Sequence, residues 1–424
     1  MPLDRTTPPP ARPARDITLE PPRRFTLDNG IPLYWFPNDQ LDLIHLSIVI
    51  NAGSLYEPQK KVAGFCYDLL KESHPTQSAD RFEDFLDFYG ASLSVTIGLS
   101  QVTVNVQVPV RNYSLVIEKI ARLFTTPKFR KRELERYRAK TIKDWEYHRE
   151  KVDFRSSQLM FHHFFGKDFP YGKIVEISDF KNITIANLEQ YHQQTCCAEN
   201  VRLFMAGHAD EKLLDFTVGC FAEIAHGEAS PILPDIRDSY TPRRISETWD
   251  DALQTSLVLC QPALRYHDSE VHAFNFVNTL FCNYFGSRLM QNLRERNGYT
   301  YGIGGYPFYY LNGAVHYIDC EVNNDKAEAA IRACFDEMER LRSELVSDEE
   351  LDTVRNYMSG RLLRSVDGTV QYMQTFTQWN NFGEDERRFT ELHNTIQGIT
   401  AEEVREVARQ HLREEDFTVI TVGK

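Results

Sequence analysis

No stretch of this 424-residue chain approaches the ~20 consecutive apolar residues that a membrane-crossing helix needs, so a membrane-spanning class is excluded. No block of lysine and arginine offsets the formal charge of -13, and phosphate backbones are bound through clustered cations, so nucleic acid is not an expected partner. The acidic balance serves solubility and favours basic peptides only weakly. Eight cysteines are present, but none forms a C-x-x-C pair or the spacing of a small disulfide domain. They read as reduced, mostly buried thiols, the adjacent Cys196 and Cys197 included. Residues 1–15 lack a hydrophobic signal core, and their prolines would break a transit-peptide helix, so the expected location is the cytoplasm. Neither H-E-x-x-H nor G-x-S-x-G occurs, so the simplest zinc helix and the serine elbow are both missing.

What is there is ample core material, with 42% hydrophobic and 12% aromatic residues over a length that suits two to three domains. The chain also repeats itself. Ile183-Thr-Ile-Ala-Asn-Leu-Glu-Gln-Tyr191 leads to Val201-Arg-Leu-Phe-Met-Ala-Gly207, and Ile399-Thr-Ala-Glu-Glu-Val-Arg-Glu-Val407 leads to Phe417-Thr-Val-Ile-Thr-Val-Gly423. In both, a threonine N-cap opens a helix that is followed by a strand ending in glycine, with the same threonine-to-glycine distance. At about the same offset Glu133-Leu-Glu-Arg-Tyr-Arg138 matches Glu350-Leu-Asp-Thr-Val-Arg355. A period this long indicates duplicated domains, since each copy can enclose its own core. The polar, proline-punctuated segment 227–242 reads as the linker, with the boundary near residue 235. The expected division is a flexible leader over 1–20, a first domain over 21–226, the linker, and a second domain over 243–424.

Within the first copy, Phe25 to Phe36 reads as strand, Asn-Gly turn and strand, and Leu43 to Ile50 as a further strand. Alternation at Leu93, Val95, Ile97, Leu99 and at Val102, Val104, Val106, Val108, Val110 predicts a half-buried hairpin. Helices are expected over 59–73, over 78–89 with Ser78 capping and Gly90 stopping, near 113–124, and over 131–150. The fold class is therefore α+β: two homologous domains, each an antiparallel or mixed sheet with one face covered by helices.

The segment Val62 to Ser73 carries apolar residues at Val62, Phe65, Cys66, Leu69 and Leu70, the stripe of an amphipathic helix. Opposite that stripe stand Gly64, Tyr67 and Asp68, at the spacing with which H-x-x-E-H would place two imidazoles and a carboxylate on one side of a helix. None of the three can do that work. The surrounding text, Asn51-Ala-Gly-Ser-Leu-Tyr-Glu57 before the helix and Ser78-Ala-Asp-Arg-Phe-Glu-Asp-Phe-Leu-Asp-Phe-Tyr-Gly-Ala-Ser-Leu-Ser-Val95 after it, resembles the M16 family of insulinase, pitrilysin and mitochondrial processing peptidase. The similarity runs through nearly the whole chain. Aligned on Leu69-Leu70, the family's first histidine falls on Gly64, its glutamate on Tyr67 and its second histidine on Asp68, while the distal glutamate ligand falls near Asp144. One oxygen ligand without either imidazole is not a zinc site, so no metal is expected in this chain. The resemblance also implies two homologous α+β domains per chain and two chains, or a fused pair, closing like a clamshell around a peptide.

The second copy holds Gly286-Ser-Arg-Leu-Met-Gln-Asn-Leu-Arg-Glu-Arg-Asn-Gly-Tyr-Thr-Tyr301, in which a helix carrying Leu289 and Leu293 ends at Asn297-Gly298 and a strand emerges at Tyr299 to Ile303. Arg294 and Tyr301 can thus converge on one point and offer fixed donors to a peptide carbonyl or oxyanion. From chemistry alone, Arg294 capping helix carbonyls and Tyr301 filling a sheet face is the favoured reading, and the resemblance to the M16 family reverses that preference. In the M16 family an Arg/Tyr pair in an L-R-x-x-x-G-x-x-Y context lies in the non-catalytic half and reaches substrate at the other half's zinc, and these two residues match it. The family's processing-peptidase subunit carries a long glycine-rich loop before this helix, whereas only Asn283-Tyr-Phe-Gly-Ser287 stands here, which speaks against presequence processing. Gly302-Ile-Gly-Gly305 lacks a following Lys-Ser/Thr and is not a phosphate loop. His162 and His163, adjacent on a helix, point in different directions, and His148 with Glu150 has the wrong spacing for ligands.

The resemblance implies a catalytically silent subunit of a heterodimeric zinc endopeptidase, partnered by an M16 chain that keeps H-x-x-E-H and brings the zinc, with peptides as substrates. The alternative is a scaffold with the same fold and no part in proteolysis.

Overall fold

The computed structural model describes residues 17–231, 240–311 and 313–424. Residues 1–16 of the expected leader and 232–239 of the expected linker lie outside them. Among the described residues no helix is long and apolar enough to cross a membrane.

The first half contains strands β1 (Arg23–Thr26), β2 (Pro32–Pro37), β3 (Leu43–Ile50), β4 (Ser92–Ile97), β5 (Val102–Pro109) and β6 (Val201–Gly207). Its helices are α1 (Val62–Asp68), α2 (Ala79–Phe88), α3 (Tyr113–Thr125), α4 (Lys131–His148), α5 (Val152–Phe165), α6 (Ile177–Lys181), α7 (Ile185–Thr195) and α8 (Glu211–Ala222). The second half contains β7 (Arg244–Thr248), β8 (Gln254–Pro262), β9 (Thr300–Tyr310), β10 (Gly313–Asn323) and β11 (Thr418–Gly423). Its helices are α9 (Val271–Cys282), α10 (Ala327–Ser343), α11 (Asp348–Ser365), α12 (Thr369–Asn380), α13 (Arg387–Gly398) and α14 (Ala401–His411), with a π-helical segment Met290–Arg296 before β9.

The sheet orders are β1-β2-β6-β3-β5-β4 and β7-β11-β8-β10-β9. Without the extra hairpin strand β1, the two are the same sheet, because β2 with β6 and β7 with β11 are the parallel pairs and every other pairing is antiparallel. The duplication seen in the sequence is therefore a duplication of topology. Its marker residues occupy equivalent places. Thr184 and Thr400 each close a capping box, on α7 and α14. Arg138 and Arg355, the last residues of the matched hexapeptides, donate to the carbonyls of Ile183 and Ile399, the residues just before those caps. Gly207 and Gly423 end the matching strands where a Cβ would collide, with Leu43 O at 2.4 Å and with Thr255 Oγ1 at 2.3 Å. Only glycine admits that approach.

The expected helix over 78–89 is α2, with the Ser78 hydroxyl accepting from Arg81 N and Gly90 at φ +64. The helix expected over 59–73 is shorter: α1 starts at Val62 because Lys61 sits at φ 72, and its last turn, Leu70–Glu72, tightens to a 3-10 helix.

One expectation fails in a way that shapes the whole molecule. Each sheet has helices on both faces, and the second cover comes from the other half. α5 lies across the second sheet, with Leu159, Met160 and Phe164 packed among Val258, Cys260, Ile420 and Val422. α12 lies across the first, with Phe376 and Met373 in one cluster with Phe36, Phe204 and Ala206. The same offset separates Val152 from Thr369 as separates Glu133 from Glu350, so these are the same helix of the repeat, exchanged between halves. β8 accordingly is buried at every position from Thr255 to Gln261, as a strand covered on both faces must be. Polar bonds fix the exchange: Arg155 grips Glu247 with two bonds of 2.7 Å, Ser156 meets Ser256 at 2.7 Å, and half-buried Arg202 holds the Asn380 carbonyl at 2.9 Å.

Truncating an exchanged ring removes packing from both halves together. Phe376→Ala and Phe164→Ala are each expected to lower stability by about 3–5 kcal/mol. In urea unfolding followed by near-ultraviolet circular dichroism and by tryptophan emission, the two probes should move in one shared transition.

Candidate functional site

The degenerate metal helix and the Arg294/Tyr301 turn lie in two different clefts. In α1 the three motif positions part company. Gly64 is partly exposed, and a Cβ there would meet nothing within 4 Å. Tyr67 is fully buried, contrary to its expected place beside Gly64 and Asp68. Its ring packs edge-on against Tyr191, its hydroxyl bonds Thr195 Oγ1 at 2.8 Å, and burial pushes its pKa well up. α1 is wedged against α7, so a large side chain at this turn is core material. Asp68, partly buried, accepts a hydrogen bond from the Tyr137 hydroxyl. Burial, followed by that bond, raises the Tyr137 pKa, with a smaller push from exposed Asp144 on α4.

A glycine, a phenol locked in the core and a carboxylate already engaged do not make a zinc ligand set. Among the described residues no three His, Cys, Asp or Glu side chains are grouped to hold a metal. The residues at this helix do not fit the ion.

The second cleft is built by the segment before β9. Leu289 and Leu293 are buried and anchor the π-helical segment, whose wider winding shows in the bond from Asn297 N to Asn292 O at 3.1 Å. Gly298 at φ +61 ends it and lets the chain turn into β9, an edge strand of its sheet. Arg294 and Tyr301 then line one open cleft of about 620 Å³. The Arg294 guanidinium lies over the exposed Phe285 ring, 4.8 Å from its centroid, and its Nε is 3.5 Å from Glu295 Oε1. It donates to no helix carbonyl among the described residues; Asn297 Nδ2, 3.0 Å from Asn292 O, does that capping. Tyr301 is 90% exposed and fills no sheet face. Both side chains are free to meet something else.

The same cleft is lined by Asp153 of α5 and by Asp319 and Glu321 of β10, the strand paired with β9. Burial, reinforced by Asp153 and Glu321, raises the Asp319 pKa, and burial with Asp153 raises that of Glu321. Sequence reasoning missed these carboxylates. Asp153 belongs to α5 and reaches the cleft only because that helix is exchanged, for which no local signal exists. His162 is spent on Gly172 O at 2.8 Å, and α4 ends at His148, short of Glu150.

Residues 37–166 match the family model described as "Insulinase (Peptidase family M16)", and residues 182–358 match that of the "Peptidase M16 inactive domain". The chain belongs to the M16 peptidase family. An "Uncharacterized zinc protease" of Rickettsia bellii (strain RML369-C) is 22% identical over 347 residues, covering 79% of this chain and 82% of that protein. Among solved structures, a peptidase M16 inactive domain from Pseudomonas fluorescens superposes with a TM-score of 0.86 at 18% identity, over 95% of this chain and 97% of that one. A protease from Helicobacter pylori gives 0.85 at 15% identity, over 96% and 100%. At these identities the structural likeness establishes the M16 two-domain fold and nothing finer.

The two clefts differ in what their residues do for stability. Tyr301→Phe, at an exposed position, and Arg294→Ala, which loses only surface contacts with Phe285 and Glu295, are each expected to change the unfolding free energy by less than about 1 kcal/mol. Tyr67→Ala should cost about 3–5 kcal/mol. Chemical denaturation of the three variants checks the contrast.

Proposed function

We propose that this chain is the catalytically silent member of a two-chain zinc endopeptidase of M16 type. Its partner, an M16 chain with an intact H-x-x-E-H, carries the metal. This chain completes the peptide chamber and offers Arg294 and Tyr301 to the peptide across the interface. The reading is carried by the pairing of a guanidinium held only by surface contacts and an exposed phenol in one cleft, on a chain whose own metal helix has no ligand set among the described residues.

Arg294 and Tyr301 are N–H and O–H donors held by a turn with buried leucine anchors, so they can meet a peptide carbonyl without reorganising first. Donors fixed in this way stabilise negative charge as it develops on that oxygen. β9 leaves one edge unpaired beside Tyr301, and an extended peptide can pair with such an edge irrespective of its sequence. The carboxylates of Asp153, Asp319 and Glu321 in the same cleft add negative potential, which favours peptides with basic side chains. A cytoplasmic location agrees with eight unpaired cysteines, seven of them buried.

The test mixes the two purified chains with unstructured peptides. Cleavage is expected only in the mixture, lost on adding a zinc chelator, and reduced ~100-fold or more by Arg294→Ala or Tyr301→Phe. Unaltered turnover in both variants would remove their assigned role, and efficient cleavage by the partner alone would remove this chain's.

A further inference from the structure

Where the family carries its metal helix, this chain has a pocket of about 670 Å³ that the proposed function leaves unused. Leu99, Trp145, Phe154, Phe161 and Phe308 make an apolar wall, with Phe308 arriving on β9 from the second half. The remaining wall is cationic. Lys60 is committed to Asp179 Oδ2 at 2.9 Å and to the Ile174 carbonyl at 2.7 Å. Lys61 and Lys173 have no hydrogen-bond acceptor among the described residues; the Lys61 ammonium lies against the Phe180 ring, 5.8 Å from its centroid, with the Glu57 and Asp179 carboxylates acting on it only through space. One carboxylate, Glu57, shares the pocket; it accepts from Ala63 N at 3.3 Å, and burial raises its pKa to about 7, so it offsets the lysines only in part.

Two further observations point to an absent occupant. Ser54 Oγ, Trp145 Nε1 and Tyr171 Oη are buried within this wall without a partner; the Ser100 hydroxyl approaches Tyr171 but makes no well-formed bond. Lys61 is also the one non-glycine residue at positive φ among the described residues, a strained backbone that keeps its ammonium at the pocket.

We propose that this pocket binds an apolar carboxylate, its hydrocarbon or aromatic body among the phenylalanines and its carboxylate on Lys61 and Lys173. A neutral ligand would leave the half-buried Lys61 ammonium without a hydrogen-bond acceptor, while exposed Lys173 adds positive charge at the pocket's rim. A dianion would be repelled by Glu57. The carboxylate arrives either on a free acid or as the C-terminal residue of a peptide, and neither source requires a zinc-bearing partner.

Isothermal titration of the full chain with phenylbutyrate, with an N-acetylated pentapeptide ending in phenylalanine, and with the amide of each separates the sources. At least one acid should bind saturably and more tightly than its amide by about tenfold or more, the worth of a charge-assisted hydrogen bond. Binding of the peptide acid alone assigns the site to chain ends, and binding of phenylbutyrate alone assigns it to free acids. Gly64→Leu, which fills the pocket from a helical position, and Lys61→Gly, which removes the ammonium and relieves the positive φ, should each weaken binding about tenfold or more without lowering the thermal midpoint. No saturable binding of either acid, equal binding of acid and amide, or unchanged affinity in both variants overturns the proposal.

Discussion

The exchange of α5 and α12 is the interaction on which the rest of the molecule depends. Each helix buries its apolar face on the sheet of the other half, and at roughly 1.5–3 kcal/mol per buried Leu, Met or Phe side chain the contact is far stronger than a surface association of two domains. The exchange also builds the clefts. Asp153, at the start of α5, lines the cleft of Arg294 and Tyr301, while Phe154 and Phe161 of the same helix wall the pocket beside Gly64. Phe308 closes that pocket from the second half. Neither cavity belongs to one half alone.

The degenerate helix is more than a metal helix with its ligands deleted. With Tyr67 fully buried and bonded to Thr195, the turn that would hold a general base has become part of the core. A glutamate there would exchange a packed ring for a buried carboxylate, which costs more than either change alone. Gly64 and Asp68, meanwhile, face a pocket lined by aromatic rings and a tyrosine hydroxyl respectively. Reversion to a metal centre would need a polar ligand at the turn that the buried Tyr67 ring now fills.

Much of the fold was legible in the sequence, since its signals are local. The threonine caps, the strand-ending glycines and the alternating valines of β5 report directly on backbone geometry, and each lies where the pattern put it. The exchanged helices were not legible. The apolar stripe of α5 looks the same whether it covers its own sheet or a neighbour's, and only the nearly unbroken burial of β8 betrays a second cover. Tyr67 was misplaced for a related reason: helical periodicity gives the direction of a side chain, while the identity of whatever lies in that direction comes from α7, far along the chain. Arg294 and Tyr301 were found because both flank one turn; Asp153, Asp319 and Glu321 were missed because they come from elements joined only by topology.

In the proposed assembly the chemistry resides in another chain, and this one contributes shape and donors. Metal analysis of the purified assembly, set beside that of this chain alone, tests it most directly. One zinc is expected for each pair of unlike chains, and none retained by this chain in isolation. Stoichiometric zinc on this chain alone, accompanied by peptide hydrolysis, would contradict it.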